Sequence, residues 1–249
     1  MDVLFYVGLH QPSDAPHFPR ACISINRVRG RKKPVICADV LLDSGAFTEL
    51  QNHGEYRDEP SIYAAEVNRL HSTGVLNITA AVAQDYMCEP FMLARTGKTL
   101  IEHQQLTIQR YDQLSVCNLP VPVMPVLQGF APTDYARHIH DYGDRLTPGM
   151  WVGVGSVCKR QGDPSAILRV LSAIKAVRPD LRLHGFGVKY TSLMHSGVRE
   201  ILYSADSMAW SFAARRAGRS PNDWREAKQF ADKIANARPA YEYQMEMGI

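Results

Sequence analysis

The stretch LLDSGAFTEL, residues 41–50, passes from an apolar run directly into an acid, a serine and a glycine. The same transition recurs along the chain, where an apolar strand is followed by a polar or glycine turn and then by an amphipathic helix. Strands that alternate with helices form a mostly parallel sheet with both faces covered. The predicted strands are DVLFYVGL (2–9), PVICADVLLDSG (34–45), NITAAVAQD (77–85), PVMPVLQG (122–129), WVGVGS (151–156), LRLHGFGV (181–188) and EILYSADS (200–207), with CISINRV (22–28) as a candidate eighth.

The segments between these strands have apolar residues at three- and four-residue spacing, which predicts helices. They are SIYAAEVNRLHSTG (61–74), TGKTLIEHQQLTIQRYDQLS (96–115), PTDYARHIHDYGDRL (132–146), DPSAILRVLSAIKAV (163–177) and SPNDWREAKQFADKIAN (220–236). Seven or eight such units in a chain of 249 residues predict an α/β fold, a single (β/α)8 TIM-like barrel domain over residues 1–249. A doubly wound open sheet is the alternative.

Composition narrows the class of protein. Hydrophobic residues make up 45% and charged residues 21% of the chain, as in globular proteins. Because no apolar run is long enough to span a bilayer and no signal peptide is evident, we expect a cytoplasmic protein without a membrane partner. The five cysteines are scattered and form no CxxC pair, which argues against disulfides and against a cysteine-rich metal site. Two basic segments, RVRGRKK (27–33) and ARRAGR (214–219), favour a phosphate-rich partner.

Polar residues and glycines stand where the predicted strands end. The carboxyl ends of parallel strands meet at one rim of a barrel, which is where barrel enzymes place their active sites. An aspartate at such a position can equally cap the following helix, and a glycine can simply permit a turn. The set as a whole favours a binding site: Asp43, Asp85, Gln128, Gly153, Gly155, His184, Gly187 and Asp206.

The side chains of this set suit a planar, polar, uncharged ligand. Asp85 and Gln128 offer acceptors and a donor, and the glycines allow backbone amides to approach. Asp43 and Asp206 form a candidate acid and nucleophile pair, which can cleave the N-glycosidic bond of a base that has left the stack. Three neighbouring aromatic or imidazole side chains are added to the base-binding set, although core packing explains each equally well: Tyr86, Trp210 and His184.

Six segments together resemble the queuine and preQ tRNA-guanine transglycosylase superfamily, and in particular its DNA-acting branch, the DpdA-like 7-deazaguanine DNA transglycosylases. They are LLDSGAFTEL, QDYMCEP, VPVMPVLQGF, VGVGSVCKRQ, LHGFGVK and SADSMAWSFAARR, in family order from roughly residue 3 to residue 216. The resemblance implies a modified (β/α)8 barrel with Asp43 as general acid/base and Asp206 as the nucleophile that attacks the sugar C1′. It assigns recognition of the base edge to Asp85, Gln128 and the backbone around Gly153 and Gly155.

The chain also departs from the tRNA enzymes. It lacks the C-x-C-x-x-C motif and the later histidine of their zinc subdomain, so we expect a barrel without that subdomain, and we expect no metal or other cofactor. DSGAF replaces the more usual DSGGF, which adds a methyl group at Ala46 beside the site. The resemblance implies DNA as the partner, in preference to tRNA. Candidate phosphate contacts are Arg27, Arg29, Arg31, Lys32, Lys33, Lys159, Arg160, Arg215 and Arg216.

Three functions remain open at this level. In base exchange, a free 7-deazaguanine base displaces Asp206 from the covalent sugar intermediate. In excision, water ends the reaction, and the enzyme is a DNA glycosylase directed at a modified phage base. In the third, the chain is an inactive nucleic-acid-binding subunit, against which the presence of both Asp43 and Asp206 argues.

Overall fold

A computed structural model of the chain describes residues 3–157 and 163–236. Within these residues the backbone forms nine strands and ten α-helices. The strands are β1 (Leu4–Gly8), β2 (Arg20–Ser24), β3 (Asp39–Asp43), β4 (Ile78–Val82), β5 (Val123–Met124), β6 (Val126–Leu127), β7 (Trp151–Val154), β8 (Arg182–Gly185) and β9 (Leu202–Ser207). The helices are α1 (Ala46–His53), α2 (Pro60–Ser72), α3 (Pro90–Thr96), α4 (Leu100–Ser115), α5 (Pro132–Tyr142), α6 (Pro164–Val177), α7 (Tyr190–Leu193), α8 (Ser196–Ile201), α9 (Ala209–Arg216) and α10 (Trp224–Ala235). None of these helices is long and apolar enough to cross a membrane.

All strand pairs are parallel, and the sheet closes on itself. The strand order is β5-β4-β3-β2-β1-β9-β8-β7-β6, so the two edge segments, β5 and β6, are consecutive in the chain and separated only by Pro125. The Met124 carbonyl accepts from Ala83 N–H next to β4 (2.9 Å), and the Pro125 carbonyl accepts from Gly153 N–H of β7 (2.8 Å). Segments β5 and β6 are therefore one strand, kinked at a residue that has no N–H to donate. The prediction of an eight-unit barrel is confirmed, and the open-sheet alternative is wrong.

Alternation along the strands decides which side chains point into the barrel. In β3, Val40 and Leu42 belong to the large apolar cluster between sheet and helices, whereas Leu41 belongs to a smaller interior cluster. Since side chains alternate with a period of two, Asp43 follows Leu41 into the interior. Asp206 pairs in register with the interior residue Tyr6, so it points the same way from β9. Both carboxylates thus lie above the apolar interior, at the carboxyl end of the barrel.

The predicted elements differ from the observed ones mainly at their ends. Strand β3 covers only the second half of the predicted segment 34–45, and β9 begins at Leu202 because the residues before it form α8. The five predicted helices are all present, with ends that shift by a few residues. Helices α1, α3, α7, α8 and α9 are short, none longer than eight residues, and the helical periodicity did not reveal them.

Candidate active site

A cavity of about 770 Å³ opens at the carboxyl ends of the strands. Its volume falls in the range of about 300–1,000 Å³ that is typical of small-ligand sites. Five residues that the sequence singled out line it together, although they are far apart in the chain: Asp43, Asp85, Gln128, Gly155 and Asp206.

Asp43 ends β3 and faces this cavity from a tight turn. The Gly45 N–H donates to Asp43 Oδ2 (3.0 Å), and Gly45 has φ 77°, a conformation that favours glycine. Burial raises the pKa of Asp43 to about 6, against the lowering effect of the Gly45 N–H, and the nearby Asp206 carboxylate adds to the rise. The turn thus holds a carboxyl group that can carry a proton close to neutral pH.

Asp206 ends β9 and is oriented by two donors. The Gly187 N–H lies 3.0 Å and the His184 Nε2 3.3 Å from Asp206 Oδ1. A carboxylate only accepts, so His184 Nε2 carries the proton, and its Nδ1 lies 2.9 Å from the Ser204 hydroxyl. Ser204 in turn accepts from Trp151 Nε1–H (2.8 Å), a donor-only group. The hydroxyl proton of Ser204 is therefore free to point at Nδ1, and the chain of hydrogen bonds fixes the carboxylate.

His184 itself does not meet a ligand. The ring is fully buried beneath Asp206, with both nitrogens engaged. Its predicted place in the base-binding set is therefore wrong, because the strand end directs the ring inward as a support for the carboxylate. The observed contacts make His184 a group that orients Asp206.

Asp85 and Gln128 form a hydrogen-bonded pair on the other side of the cavity. Gln128 Nε2 donates to Asp85 Oδ2, and Ser156 Oγ lies 2.8 Å from Gln128 Oε1. The backbone of Gln128 is also held, since its N–H donates to His138 Nδ1 (2.9 Å). Burial raises the pKa of Asp85 to about 7, opposed by the hydrogen bond from Gln128 and reinforced by Asp43. This carboxyl group can therefore offer either a lone pair or an O–H near neutral pH.

The two glycines of WVGVGS contribute space, whereas their N–H groups are not available to a base. Gly153 N–H donates to the Pro125 carbonyl (2.8 Å) and Gly155 N–H to the Leu127 carbonyl (2.9 Å), both within the barrel ladder. A Cβ at Gly153 would overlap the Phe186 ring, and one at Gly155 would overlap the Gln128 amide. Any recognition of a base by the backbone around Gly153 and Gly155 would therefore use groups other than these two N–H donors, and that role stays a prediction.

Tyr86 and Trp210 pack in the interior of the protein. Tyr86 is 4% exposed and contacts Tyr56 and His103 edge to face. Trp210 is 3% exposed, and its Nε1–H donates to the Gly8 carbonyl (2.9 Å). Neither side chain lines the cavity. These contacts favour the alternative of core packing for Tyr86 and Trp210, since both rings lie away from the cavity.

One cation of the basic run reaches the cavity. Arg27 lines it, whereas Arg29 pairs with Asp58 (2.6 Å) and Arg31 Nε donates to the Lys33 carbonyl (2.9 Å). The remaining candidate cations that the structure describes are exposed on the surface: Lys32, Lys33, Arg215 and Arg216. Two further candidates, Lys159 and Arg160, lie outside the described residues.

The sequence did not reveal several residues of the cavity. His10 and Asn26 lie just after the ends of β1 and β2, where no periodicity marks them. Phe186 lines the cavity wall with its ring centroid 4.7 Å from that of His184, and the glycines flanking it in HGFG were the available signal. Ser156, in the same motif as Gly155, has φ 57°, a conformation that is uncommon for a serine.

The fold defines the class of protein as a TIM-like (β/α)8 barrel. Residues 3–157 and 163–236 hold no group of His, Cys, Asp and Glu that could bind zinc or another metal. The family model DpdA, described as DeoxyPurine in DNA protein A, matches residues 1–230. The chain therefore belongs to the DpdA family, which is part of the tRNA-guanine transglycosylase-like superfamily. No curated protein matches the chain. The family match confirms the resemblance seen in the sequence and supports a glycosyltransferase-type enzyme that acts on DNA.

Proposed function

We propose that the protein exchanges a base in DNA for a 7-deazaguanine, with Asp206 as nucleophile and Asp43 as general acid and base. The observation that carries this proposal is that the two carboxyl groups share one cavity while their surroundings differ. Asp206 is held by the Gly187 N–H and His184, whereas burial holds the pKa of Asp43 at about 6. Two carboxyl groups kept in different environments are the usual basis of an acid and nucleophile pair.

In the first half-reaction, a flipped base enters the cavity and its glycosidic bond breaks. An Asp206 oxygen forms a bond to the sugar C1′ as the bond from C1′ to the base nitrogen breaks. The Asp43 carboxyl group gives its proton to the departing base, so that the base leaves neutral. The product is a covalent deoxyribosyl ester on Asp206.

In the second half-reaction, an incoming 7-deazaguanine occupies the same pocket. Asp43, now a carboxylate, takes the proton from the base nitrogen, which attacks C1′ and releases Asp206. Asp85 and Gln128 would contact the base edge, because their side chains line the cavity and the Asp85 pKa of about 7 allows it to donate or to accept. Both bases are planar and polar, so one pocket serves both steps.

Mass spectrometry of DNA nucleosides tests this proposal. We expect DNA incubated with the protein and a preQ-type 7-deazaguanine base to gain the modified nucleoside and to release one unmodified base per insertion. The Asp206→Asn variant should lose both products, while the exposed Asp144→Asn variant should keep them. Alkali-labile abasic sites from DNA alone would favour excision by water. If Asp206→Asn retains every cellular effect of the protein, the remaining explanation is an inactive nucleic-acid-binding subunit.

A further inference from the structure

The cavity extends beyond the carboxylates onto a part of the rim that carries hydrogen-bond donors and positive charge. We call it the donor rim and define it by His10, Asn26 and Arg27, all of which line the cavity. His10 follows β1, and the other two lie in the 3-10 helix Ile25–Arg27 that follows β2. The donor rim is thus built from adjacent strands and forms one continuous patch.

Asn26 presents a donor that the described structure leaves unused. Its Nδ2 is buried and has no hydrogen-bond partner among the described residues. A buried amide nitrogen without a partner destabilises the folded protein. Such a group at the wall of a cavity indicates an acceptor atom that arrives with the ligand.

Arg27 adds a positive charge at the mouth of the cavity. It is exposed, and it has no hydrogen bond or ion pair with the described residues, in contrast to Arg29, which pairs with Asp58 at 2.6 Å. A guanidinium that is exposed beside a cavity is suited to an anion with two oxygens in one plane.

His10 is held in place and lies within the same positive field. Its Nε2 lies 2.8 Å from Ser211 Oγ on α9, which follows β9. Arg215 stands one helical turn after Ser211, on the same face of the helix. Burial and then the charges of Arg27 and Arg215 lower the pKa of His10.

The barrel sets the direction of the ligand. In the closed strand order, β1 lies opposite the kinked β5–β6 strand that carries Gln128, and Asp43 and Asp206 project from β3 and β9 on either side of β1 and β2. A base bound at Gln128 with its sugar between the carboxylates therefore directs the attached phosphate towards the donor rim. We propose that His10, Asn26 and Arg27 bind the phosphodiester group next to the target nucleotide. This inference rests on the proposed function for the identity of the ligand as DNA.

Methylphosphonate substitution tests the inference, because it removes the charge of one phosphate at a time. DNA binding is measured in the Asp206→Asn background, with oligonucleotides that carry one methylphosphonate at each position around the target. We expect Arg27→Met to weaken binding by roughly tenfold and to reduce the salt dependence by about one phosphate contact. The matched control is Arg145→Met, which should bind within about twofold of the parent, since Arg145 pairs with Asp112 and does not line the cavity.

A methylphosphonate at one position should weaken DNA binding by the parent by a similar factor. The same methylphosphonate should not weaken binding by Arg27→Met any further. Asn26→Ala should lose sensitivity at the same position. In the enzyme with Asp206 restored, Arg27→Met should raise KM and leave kcat nearly unchanged.

The inference fails if neither Arg27→Met nor Asn26→Ala removes the effect of a methylphosphonate on DNA binding at any position. It also fails if the parent does not bind DNA. Its failure can be told apart from failure of the proposed function. If base exchange occurs and does not depend on Arg27, the phosphate site is refuted and the proposed enzymatic function stands. If DNA binding depends on Arg27 at one phosphate position but no base is exchanged or released, the phosphate site stands and the proposed enzymatic function is refuted.

Discussion

Replacing Asp85 by asparagine should stabilise the protein at alkaline pH and inactivate it. Burial raises the pKa of this carboxyl group from its ordinary value of 3.8 to about 7. The folded protein therefore binds the Asp85 proton more tightly than the unfolded chain, and this contribution to stability is lost as pH rises from about 4 through about 7. A difference of about three pH units, at 1.36 kcal/mol each, corresponds to about 4 kcal/mol above pH 7. The asparagine carbonyl can still accept from Gln128 Nε2, so the variant escapes this cost without losing that hydrogen bond.

Urea unfolding as a function of pH measures the effect. The free energy of unfolding of Asp85→Asn should be close to that of the wild type near pH 4 and should exceed it by about 2–4 kcal/mol near pH 8. The lower figure applies if Asp43 binds a proton when Asp85 ionises and so reduces the repulsion between the two carboxylates. The exposed Asp144→Asn variant reports the effect of removing one surface carboxylate. A difference between Asp85→Asn and wild type that stays constant across this range would refute the reasoning, since it would mean that Asp85 ionises in the folded protein at no additional cost.

Three further outcomes follow from the same site. Asp206→Asn should reduce base exchange by on the order of a thousandfold or more in nucleoside mass spectrometry, with an unchanged circular dichroism spectrum. The rate of base release in single turnovers should fall as pH rises through about 6, because Asp43 must be protonated, and Asp43→Asn should remove this dependence. Gly155→Ala should lower the free energy of unfolding by about 1–3 kcal/mol and slow base exchange, because a Cβ there displaces the Gln128 amide. Unchanged stability in urea and unchanged activity would contradict the role given to this glycine.

The barrel and the main polar residues could be predicted because they depend on periodicity. Parallel strands end at one rim, so a polar residue that directly follows an apolar run must lie near its counterparts on other strands. Asp43, Asp85, Gln128 and Asp206 were found in this way, and all line the cavity. The closure of the barrel is harder to deduce from the sequence, because Pro125 divides the strand that closes it into two segments of two residues each.

The errors have a common origin, which is that a sequence does not show how far each strand ladder extends. Gly155 seemed free to offer its N–H, but the ladder continues past it. The side chains of His184, Tyr86 and Trp210 stand beside predicted site residues, yet all three are buried and none lines the cavity. Orientation at a strand end changes from one residue to the next, so proximity in sequence does not establish access to the cavity.

The two candidate catalytic carboxylates also show how one rim can support unlike chemistry. Asp206 Oδ1 lies within hydrogen-bond distance of His184 Nε2, and the His184 ring is held in turn by Ser204. Asp43 accepts from the Gly45 N–H within its own turn and from the Ser24 side chain, yet burial outweighs both and acts against its ionisation. An acceptor held rigidly by external donors is suited to attack a carbon atom, whereas a carboxyl group that ionises with difficulty is suited to carry a proton. This difference supports the roles proposed for the two carboxylates, because burial favours the protonated form of Asp43 up to about pH 6.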